Sequence, residues 1–400
     1  MIIMEEAWFI ELWRGAVRFF LNPLVYWTVI LVALAGLKRI RRERKNFGIK
    51  LFDIFAEWRQ TWLLSIGFGL FLSILAAGAG LVFSRETIWM FAIVTILLSL
   101  SLRFTLLSPV YTIGISYFLL LILPLLFQNQ TLGDITFSSS ANFVGLSILL
   151  ALLLMAEAML LSRSGNGQTF PELQPGRRGH WIGVHHFKKV SLIPFFVLIP
   201  GGAITAFAPF WPYFSINGET YSLALVPIVI GFEHAVQGTL PKKAAGSMAR
   251  SVLILAMAVL FLAVGSIYAG WLSLAAVLTG IIGREYINYR HRLADRAKMP
   301  FFHKNGRGMK VLAVIPDTPA DRLGIVAGET VTKVNGMEIS DMDTFYYALQ
   351  ESGASFKLEI IGDNGEVRFL QSALYEEDHH ELGIITANSR SQGRQFTECG

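Results

Sequence analysis

Long apolar runs constrain the fold of this chain more strongly than any other feature of its sequence. A helix needs about 20 mostly apolar residues to cross the hydrocarbon core of a bilayer, which is roughly 30 Å thick. Runs of this kind occur at 17–37, 62–83, 87–102, 106–127, 141–161, 190–211 and 220–238. They predict a polytopic α-helical membrane domain and exclude a single soluble enzyme.

The last apolar run is too long for one crossing. From Ser251 to Gly283 the chain has no charged residue, and as a single helix this run would be roughly 50 Å long. We therefore predict a helical hairpin that turns near Ser266–Gly270. The membrane domain then has about eight or nine transmembrane helices, the larger number applying if this run turns back.

The charge of the chain is divided between two regions. Only 16% of the residues are charged, whereas soluble domains have about 25%. Residues 301–400 contain 9 Lys and Arg against 15 Asp and Glu, and residues 1–300 contain 25 against 14. The predicted organisation is a transmembrane domain at 1–285, a basic juxtamembrane linker at 286–306, a small polar domain at 307–388 and a flexible tail at 389–400. The single Cys, Cys399, excludes a disulfide framework.

The basic connections between the spans predict the topology, because loops rich in Lys and Arg stay in the cytoplasm. The connections 38–61, 162–189 and 239–250 are basic, whereas 128–140 and 212–219 contain no Lys or Arg. We therefore expect the last two loops to lie outside and the C-terminal domain to be cytoplasmic. This arrangement needs an odd number of crossings and an external N-terminus.

The most basic segment, RIRRERK at 39–45, directly follows an apolar span. We interpret it as a topology signal that contacts anionic lipids, since juxtamembrane basic clusters are attracted to the cytoplasmic leaflet. A nucleic-acid site is the alternative that this position disfavours. The predicted partner of this segment is therefore the lipid bilayer, with no nucleic acid.

Four ionisable residues lie within or beside the predicted spans, namely Arg103, Glu157, Glu233 and His234. Arg103 and Glu157 lie close to span ends, where their side chains can reach the interface. Glu233 and His234 lie near the cytoplasmic end of the seventh span, where either a structural role or a proton or metal site stays open. Adjacent positions on a helix point about 100° apart, which disfavours chelation of one ion by both.

No recognisable catalytic motif occurs in the chain. The H-E-x-x-H zinc motif, the G-x-S-x-G nucleophile, the P-loop and G-x-G-x-x-G are all missing from the sequence. The pairs His185–His186 and His379–His380 are not spaced for one helical face, and we interpret them as interfacial or solvated. We therefore expect no catalytic residue, no cofactor and no metal.

From Arg307 the pattern changes to short alternating strands and turn residues. Thr318 and Pro319 are typical of a helix start, Gly324 of a helix end, and Asn335–Gly336 of a hairpin turn. The predicted elements are strands at 309–315 and 331–334, a short helix from Pro319, a helix at 342–352, and a hairpin of 356–361 with 366–374.

The segment DTPADRLGIVAGETVTKVNG resembles the signature of bacterial PDZ domains. The matching positions are Thr318, Pro319, Ala320, Gly324, Ile325, Gly328, Glu329, Val331, Val334, Asn335 and Gly336. Glu329 stands where Asp is common, and Leu323 stands where Ala is common. The resemblance implies a small α+β PDZ domain without catalytic residues, which binds an extended peptide as an added strand of its sheet.

PDZ domains hold a peptide carboxylate in a loop of the G-L-G-F type. No such loop precedes Met309, but the sequence ELGI matches it near the end of the domain, as in circularly permuted bacterial PDZ domains. The resemblance implies a groove between a strand at 384–388 and the helix at 342–352. The candidate peptide-binding residues are Glu381, Leu382, Gly383, Ile384, Phe345, Ala348 and Leu349. The alternative is that ELGI is an edge strand beside an unoccupied or degenerate groove.

Several spans, no protease motif and a C-terminal PDZ domain together resemble the MinJ family of cell-division topology proteins. The segments FFLNPLVYW at 19–27 and RIRRERKNF at 39–47 are similar to the opening of that family. The resemblance implies a non-enzymatic, multi-pass cell-membrane adaptor at septa and poles. It would bridge the polar protein DivIVA and the division inhibitor MinD to control division-site placement, with self-association left open.

Two other classes of function stay open at this point. A PDZ-containing membrane protease or protease regulator would use the PDZ domain to select substrates, and loss of activity on substitution of Glu233 or His234 would support it. A transporter with a regulatory PDZ domain would need a polar pathway in the membrane, for which the spans offer few polar groups.

Overall fold

The computed structural model describes most of the chain. The described residues are 2–127, 131–132, 135–136, 141–164, 169–176, 181–206, 208, 211–214, 220–303, 308–353, 355–373 and 382–387. The predicted tail at 389–400 and the predicted site residue Glu381 lie outside these ranges.

Eight helices lie in the described part of residues 1–300. They are α1 (Ile2–Leu21), α2 (Pro23–Phe47), α3 (Trp62–Ala79), α4 (Arg85–Ser99), α5 (Pro109–Phe127), α6 (Phe143–Arg163), α7 (Pro241–Gly265) and α8 (Trp271–Arg296). Two short strands, β1 (Thr131–Leu132) and β2 (Ile135–Thr136), lie between α5 and α6. Among the described residues α2, α3, α5, α6 and α7 are long and apolar enough to cross a membrane.

Exposed apolar side chains on these helices indicate a lipid environment. Leu63, Ile74, Leu125, Ile254 and Phe261 are each 72–82% exposed. A soluble monomer rarely leaves contiguous apolar surface of this kind in water. The helices therefore present the surface expected of a membrane protein.

The observed helix boundaries correct the predicted span 17–37 and confirm the predicted turn at Ser266–Gly270. The span 17–37 is interrupted at Asn22, whose side chain accepts the Leu24 N–H at 3.0 Å and so starts α2. The predicted turn at Ser266–Gly270 is confirmed, because α7 ends at Gly265 and α8 begins at Trp271. Helix α8 continues to Arg296, so residues 286–296 are helical.

Two of the predicted helical spans, 190–211 and 220–238, are wrong. These residues contribute to two long antiparallel strands, β4 (Trp181–Thr205) and β5 (Thr220–Val236), and β3 (Phe170–Pro175) pairs with the start of β4. Most residues of β4 and β5 are buried whichever face they lie on. Strands buried on both faces read as continuous apolar runs, and periodicity alone does not separate them from buried helices.

The prolines in these runs are compatible with strands. The N–H of Leu198 donates to Leu81 O at 3.2 Å, so it points away from β5. Pro194 and Pro200 have the same parity in β4, so they occupy positions whose N–H would also face away from β5. Pro194 pairs in register with Pro227 of β5. A proline inside a helix costs about 3 kcal/mol, whereas a proline at an outward-facing strand position removes no ladder hydrogen bond.

Helices cover the two outer edges of the β4–β5 pair. Helix α3 packs on β4, where Ser73 Oγ accepts the Phe196 N–H at 2.9 Å. Helix α1 packs on β5, where Arg18 donates to Leu223 O at 2.9 Å. An open sheet edge is not tolerated against lipid. These contacts therefore allow a strand pair to lie among membrane helices.

The paired part of β4 and β5 is roughly 50 Å long, at about 3.3 Å per strand residue, and it connects two opposite ends of the molecule. At one end Asn142 donates to Phe214 O at 3.1 Å and to Val82 O at 3.3 Å. At the other end Lys189 donates to Ala56 O at 2.9 Å, which joins two of the basic connections. Basic connections and the 211–214 segment therefore lie at opposite ends.

The C-terminal domain has the predicted strands and helices in the predicted order. They are β6 (Met309–Val314), α9 (Pro319–Arg322), β7 (Thr330–Val334), β8 (Met337–Glu338), α10 (Met342–Glu351), β9 (Ser355–Ile361), β10 (Val367–Ala373) and β11 (Ile384–Thr386). In the described residues the sheet order is β10-β9-β7-β6-β11, with β8 paired to β7. The final strand of the domain therefore lies beside its first.

The predicted turn residues adopt the backbone conformations that their positions require. Gly324 has φ +67° after α9, and Asn335 and Gly336 have φ +50° and +88° between β7 and β8. Left-handed φ values are accessible to Gly and Asn at little cost. These local preferences explain why the turns were predictable.

Candidate peptide-binding site

Strand β11 is the element that a peptide would extend. It pairs antiparallel with β6, with Ile384 opposite Val314 and Ile385 opposite Ala313. In the described sheet β11 is the terminal strand next to β6. Its second edge is therefore available in that sheet for strand addition, which is how PDZ domains bind peptides.

The loop before β11 has a left-handed backbone at two successive positions. Leu382 has φ +54° and Gly383 has φ +81°. Their carbonyl groups bond within the domain, since Ala320 N–H donates to Leu382 O at 3.0 Å and Ile315 N–H donates to Gly383 O at 2.9 Å. Within the described residues, neither the Leu382 N–H nor the Gly383 N–H donates to another backbone group. Turns of this kind, with N–H groups left available, form anion-binding nests.

Thr318 has a different role from the predicted one. It occupies the N-cap position of α9, but its hydroxyl makes no capping bond and instead donates to Ile315 O at 2.6 Å. A Cβ atom on Gly383 would lie 2.2 Å from Thr318 Oγ1. The short helix therefore packs directly against the loop and needs glycine there.

The prediction assigns helix α10 to the other wall of the groove. Asp341 accepts the Thr344 N–H at 3.1 Å, and Thr344 Oγ1 accepts the Asp341 N–H at 3.2 Å, which makes a capping box. On the exposed side Tyr347 donates to Glu351 at 2.8 Å, and this hydrogen bond raises the pKa of Tyr347. The capping box fixes where the helix begins and thus which face it buries.

The structure brings five of the seven predicted site residues into one apolar cluster. They are Leu382, Ile384, Phe345, Ala348 and Leu349, and none is more than 5% exposed. Gly383 lies between the first two, and Glu381 lies outside the described residues. These side chains belong to the core of the domain, so a peptide beside β11 would contact the edge of that strand and the loop more than an open side-chain pocket.

Glu329, which replaces the common Asp, has a structural role. Its carboxylate accepts the Val326 N–H at 2.9 Å and lies 2.8 Å from Arg368 of β10. The longer side chain therefore reaches an arginine on a different strand while it fixes the turn before β7. The sequence pattern did not indicate Arg368.

Side chains of β11 and β6 pack against the rest of the chain. Ile385 of β11 and Leu312 of β6 share an apolar cluster with Leu51, Leu173 and Phe302. Leu51 follows α2 and Leu173 lies in β3, so this contact joins the C-terminal domain to the basic end of the membrane domain. No motif in the sequence indicated this interface.

Two of the ionisable residues identified in the predicted spans, Glu157 and Glu233, make ion pairs or hydrogen bonds within the protein. The expectation that Glu157 reaches the interface is wrong: it is fully buried, ion-paired with Arg284 of α8, and it accepts the Ser108 hydroxyl at 2.6 Å. Glu233 accepts the Phe104 N–H at 3.1 Å. Arg103 is exposed at the connection after α4.

Outside the predicted spans, Glu172 of β3 lies between two basic groups. Its carboxylate is 2.9 Å from His186 Nε2 and 2.9 Å from Arg42 Nη1. Burial acts to raise the pKa of Glu172, but the neighbouring His186 and Arg42 side chains outweigh it and hold that pKa at about 2. Thr169 Oγ1 lies 2.8 Å from Nδ1 of the neighbouring His185. The pair His379–His380 lies outside the described residues.

Fold and site together define a membrane protein with several long apolar helices and a C-terminal PDZ domain. The family model for the PDZ domain matches residues 310–361, which supports this class directly. No solved structure matches the chain.

Over 382 residues the chain is 35% identical to the cell division topological determinant MinJ of Bacillus subtilis (strain 168), covering 96% of each protein. A probable cell division topological determinant MinJ of Lacticaseibacillus paracasei is 29% identical over 79 residues, which is 20% of this chain and 22% of that protein. The chain therefore belongs to the MinJ family of cell division topological determinants.

Proposed function

We propose that this protein is a non-enzymatic membrane adaptor that controls placement of the division site. The observation that supports this proposal most directly is the 35% identity over 96% of both chains to a cell division topological determinant. In this function the membrane domain confines the protein to the cell membrane, with the PDZ domain on the cytoplasmic side. The adaptor accumulates at septa and poles, where it bridges a DivIVA-like and a MinD-like protein.

The PDZ domain is the proposed protein-binding module, of the circularly permuted type. Its support is geometric: the left-handed loop at Leu382–Gly383 leads directly into β11, whose second edge is unpaired in the described sheet. A partner segment would bond to that edge and place a carboxylate at the loop. Several weak contacts of this kind, made by a protein held in two dimensions, give avidity beyond any one of them.

A full-length fluorescent fusion tests the cellular role. In a rod-shaped host that lacks its own MinJ, we expect the fusion to accumulate at septa and poles and to restore normal cell length. A uniform membrane signal in cells that stay filamentous would contradict the proposal.

A matched pair of core variants tests the groove in the same fusion. Ile384→Ala and Ile339→Ala each leave a cavity in the PDZ core. Ile384 is 1% exposed and Ile339 is 3% exposed. Such changes cost similar stability, about 2–5 kcal/mol, but only Ile384 lies in β11. The Ile384 side chain anchors β11 in the core, so we expect Ile384→Ala to loosen the strand that pairs with the peptide and to lose partner recruitment. Ile339→Ala should keep recruitment at matched protein levels. Equal loss in both variants would show that domain stability, not the groove, controls recruitment.

A further inference from the structure

A cavity of about 220 Å³ lies at the end of the membrane domain that carries the basic connections. The last residues of β5 and the last turns of α8 form most of its wall, with Glu233, His234, Asn288 and Arg292 among the lining residues. The cavity is separate from the peptide groove. None of its lining residues belongs to the C-terminal domain.

Two buried side-chain nitrogens at this cavity lack a hydrogen-bond partner among the described residues. Asn288 is 1% exposed, and its Oδ1 accepts from Arg284 at 3.0 Å, which fixes the orientation of the amide. In the described part of the chain, the Asn288 Nδ2 and the His234 Nε2 are buried without a hydrogen-bond partner. A buried donor that is left unpaired is costly. A ligand with acceptor oxygens would satisfy the Asn288 amide, and it would also satisfy His234 Nε2 in the tautomer that carries its proton there.

The charges around the cavity favour an anion. Arg292 and Arg296 line it, and both are exposed. The two acidic lining groups are already engaged, because Asp295 accepts two backbone N–H groups at 2.9 Å and Glu233 lies 3.8 Å from Lys188. The guanidinium groups therefore have no equally available carboxylate within the cavity. Arginine pairs well with phosphate because its N–H groups match the phosphate oxygens.

The position of the cavity along α8 matches the level of lipid head groups. The helix is uncharged from Trp271 to Gly283, and Tyr286 and Tyr289 beyond it are 60% and 63% exposed. Exposed tyrosines at the end of an apolar segment are typical of the membrane–water interface. Asn288 and Arg292 lie within about one turn of these tyrosines.

We propose that this cavity binds the phosphate group of an anionic phospholipid in the leaflet at the basic end of the protein. Basic clusters beside membrane-spanning segments attract such head groups. The Asn288 amide would donate to the phosphate oxygens, as would His234 in its Nε2–H tautomer, and Arg292 and Arg296 would balance their charge. The proposal is independent of the partners of the PDZ domain.

Native mass spectrometry of the full-length protein in detergent tests the site. The probes are dioctanoyl phosphatidylglycerol, dioctanoylglycerol, which lacks the phosphate, and inorganic phosphate. We expect the phosphatidylglycerol to bind at least tenfold more tightly than dioctanoylglycerol. Asn288→Asp keeps an oxygen for Arg284 but replaces the Nδ2 donor by negative charge, and it should weaken that binding at least tenfold.

The double variant Arg292→Gln, Arg296→Gln should weaken phosphatidylglycerol binding to a similar extent. It tests the proposal by itself if Asn288→Asp does not yield monodisperse protein. Arg290→Gln is the matched control, because Arg290 is exposed on the same helix and does not line the cavity, and it should change binding by less than twofold. Unchanged binding in the double variant, or equal binding of dioctanoylglycerol, overturns the proposal. If only inorganic phosphate binds in a variant-dependent manner, free phosphate is the ligand and the assignment to lipid is wrong.

Discussion

Gly383 lies so close to Thr318 that a Cβ atom at position 383 would be 2.2 Å from Thr318 Oγ1. The same residue has φ +81°, which any residue with a side chain adopts only with strain. Two independent requirements therefore fix glycine at this position. The contact joins the loop before β11 to α9, so the loop that would bind a carboxylate is also part of the packing of the domain.

We expect Gly383→Ala to destabilise the PDZ domain by about 2 kcal/mol or more, because strain from positive φ and a steric clash add. Gly324→Ala is the matched control, since Gly324 has φ +67° but a Cβ atom added to it would meet nothing within 4 Å. Hydrogen exchange of the β6 amides in the full-length protein measures the difference. Equal protection in the two variants would show that the contact with Thr318 relaxes at no cost.

For the buried ion pair between Glu157 and Arg284, we expect removal of one charge to cost more stability than removal of both. Arg284→Met leaves the Glu157 carboxylate buried without its partner, which costs about 3–5 kcal/mol. The double variant Glu157→Leu, Arg284→Met removes both charges and should recover most of that loss. Thermal denaturation in detergent compares the two with the unmodified protein. A double variant as unstable as Arg284→Met would show that the pair is not the source of the effect.

Acid should weaken the contact between α2 and β3 through Glu172. The folded-state pKa of about 2 is below the ordinary value of 4.5, so the folded state binds the proton less readily than the unfolded state. The stabilisation is complete above about pH 4.5 and is lost as the pH falls toward about 2. Hydrogen exchange of β3 between pH 3 and 6 measures this loss. Glu172→Gln should make the profile flatter, and an unchanged profile would rule out this carboxylate.

Topology is testable with single cysteines in a Cys399→Ser background. Tyr213→Cys and Ser340→Cys both place the thiol at an exposed position. We expect an impermeant maleimide added to intact cells to label the cysteine at 213 and not the one at 340. The basic connections, which should be cytoplasmic, lie at the same end of the molecule as the C-terminal domain, and residue 213 lies at the other end. Labelling of position 340 from outside would reverse the proposed orientation.

The PDZ domain was predictable in detail because its turns depend on local chemistry. Gly324, Asn335 and Gly336 adopt left-handed backbone conformations that few other residues tolerate, so their spacing predicts the strands and helices between them. The turn between α7 and α8 was predictable for a related reason, since the length of an uncharged run limits how far one helix can extend.

The sequence also carried a signal for β4 and β5 that the hydropathy pattern obscured. Pro194, Pro200 and Pro227 lie within the two runs, and prolines at these spacings disfavour a continuous helix. The apolar content of each run nevertheless matches a membrane-spanning helix. Strand pairing is decided by residues far apart in the chain, and so hydropathy alone did not predict it.

The sequence by itself determined where α3 to α8 and the short elements of the PDZ domain lie, because both follow from local composition and backbone preference. Only the tertiary structure decided that Glu157 pairs with Arg284, that β4 and β5 lie among helices, and that Leu312 and Ile385 face the membrane domain. Each of these joins segments far apart in the chain. Burial of both faces of a strand, and of both members of an ion pair, depends on the elements packed around them, and that packing exists only in the folded chain.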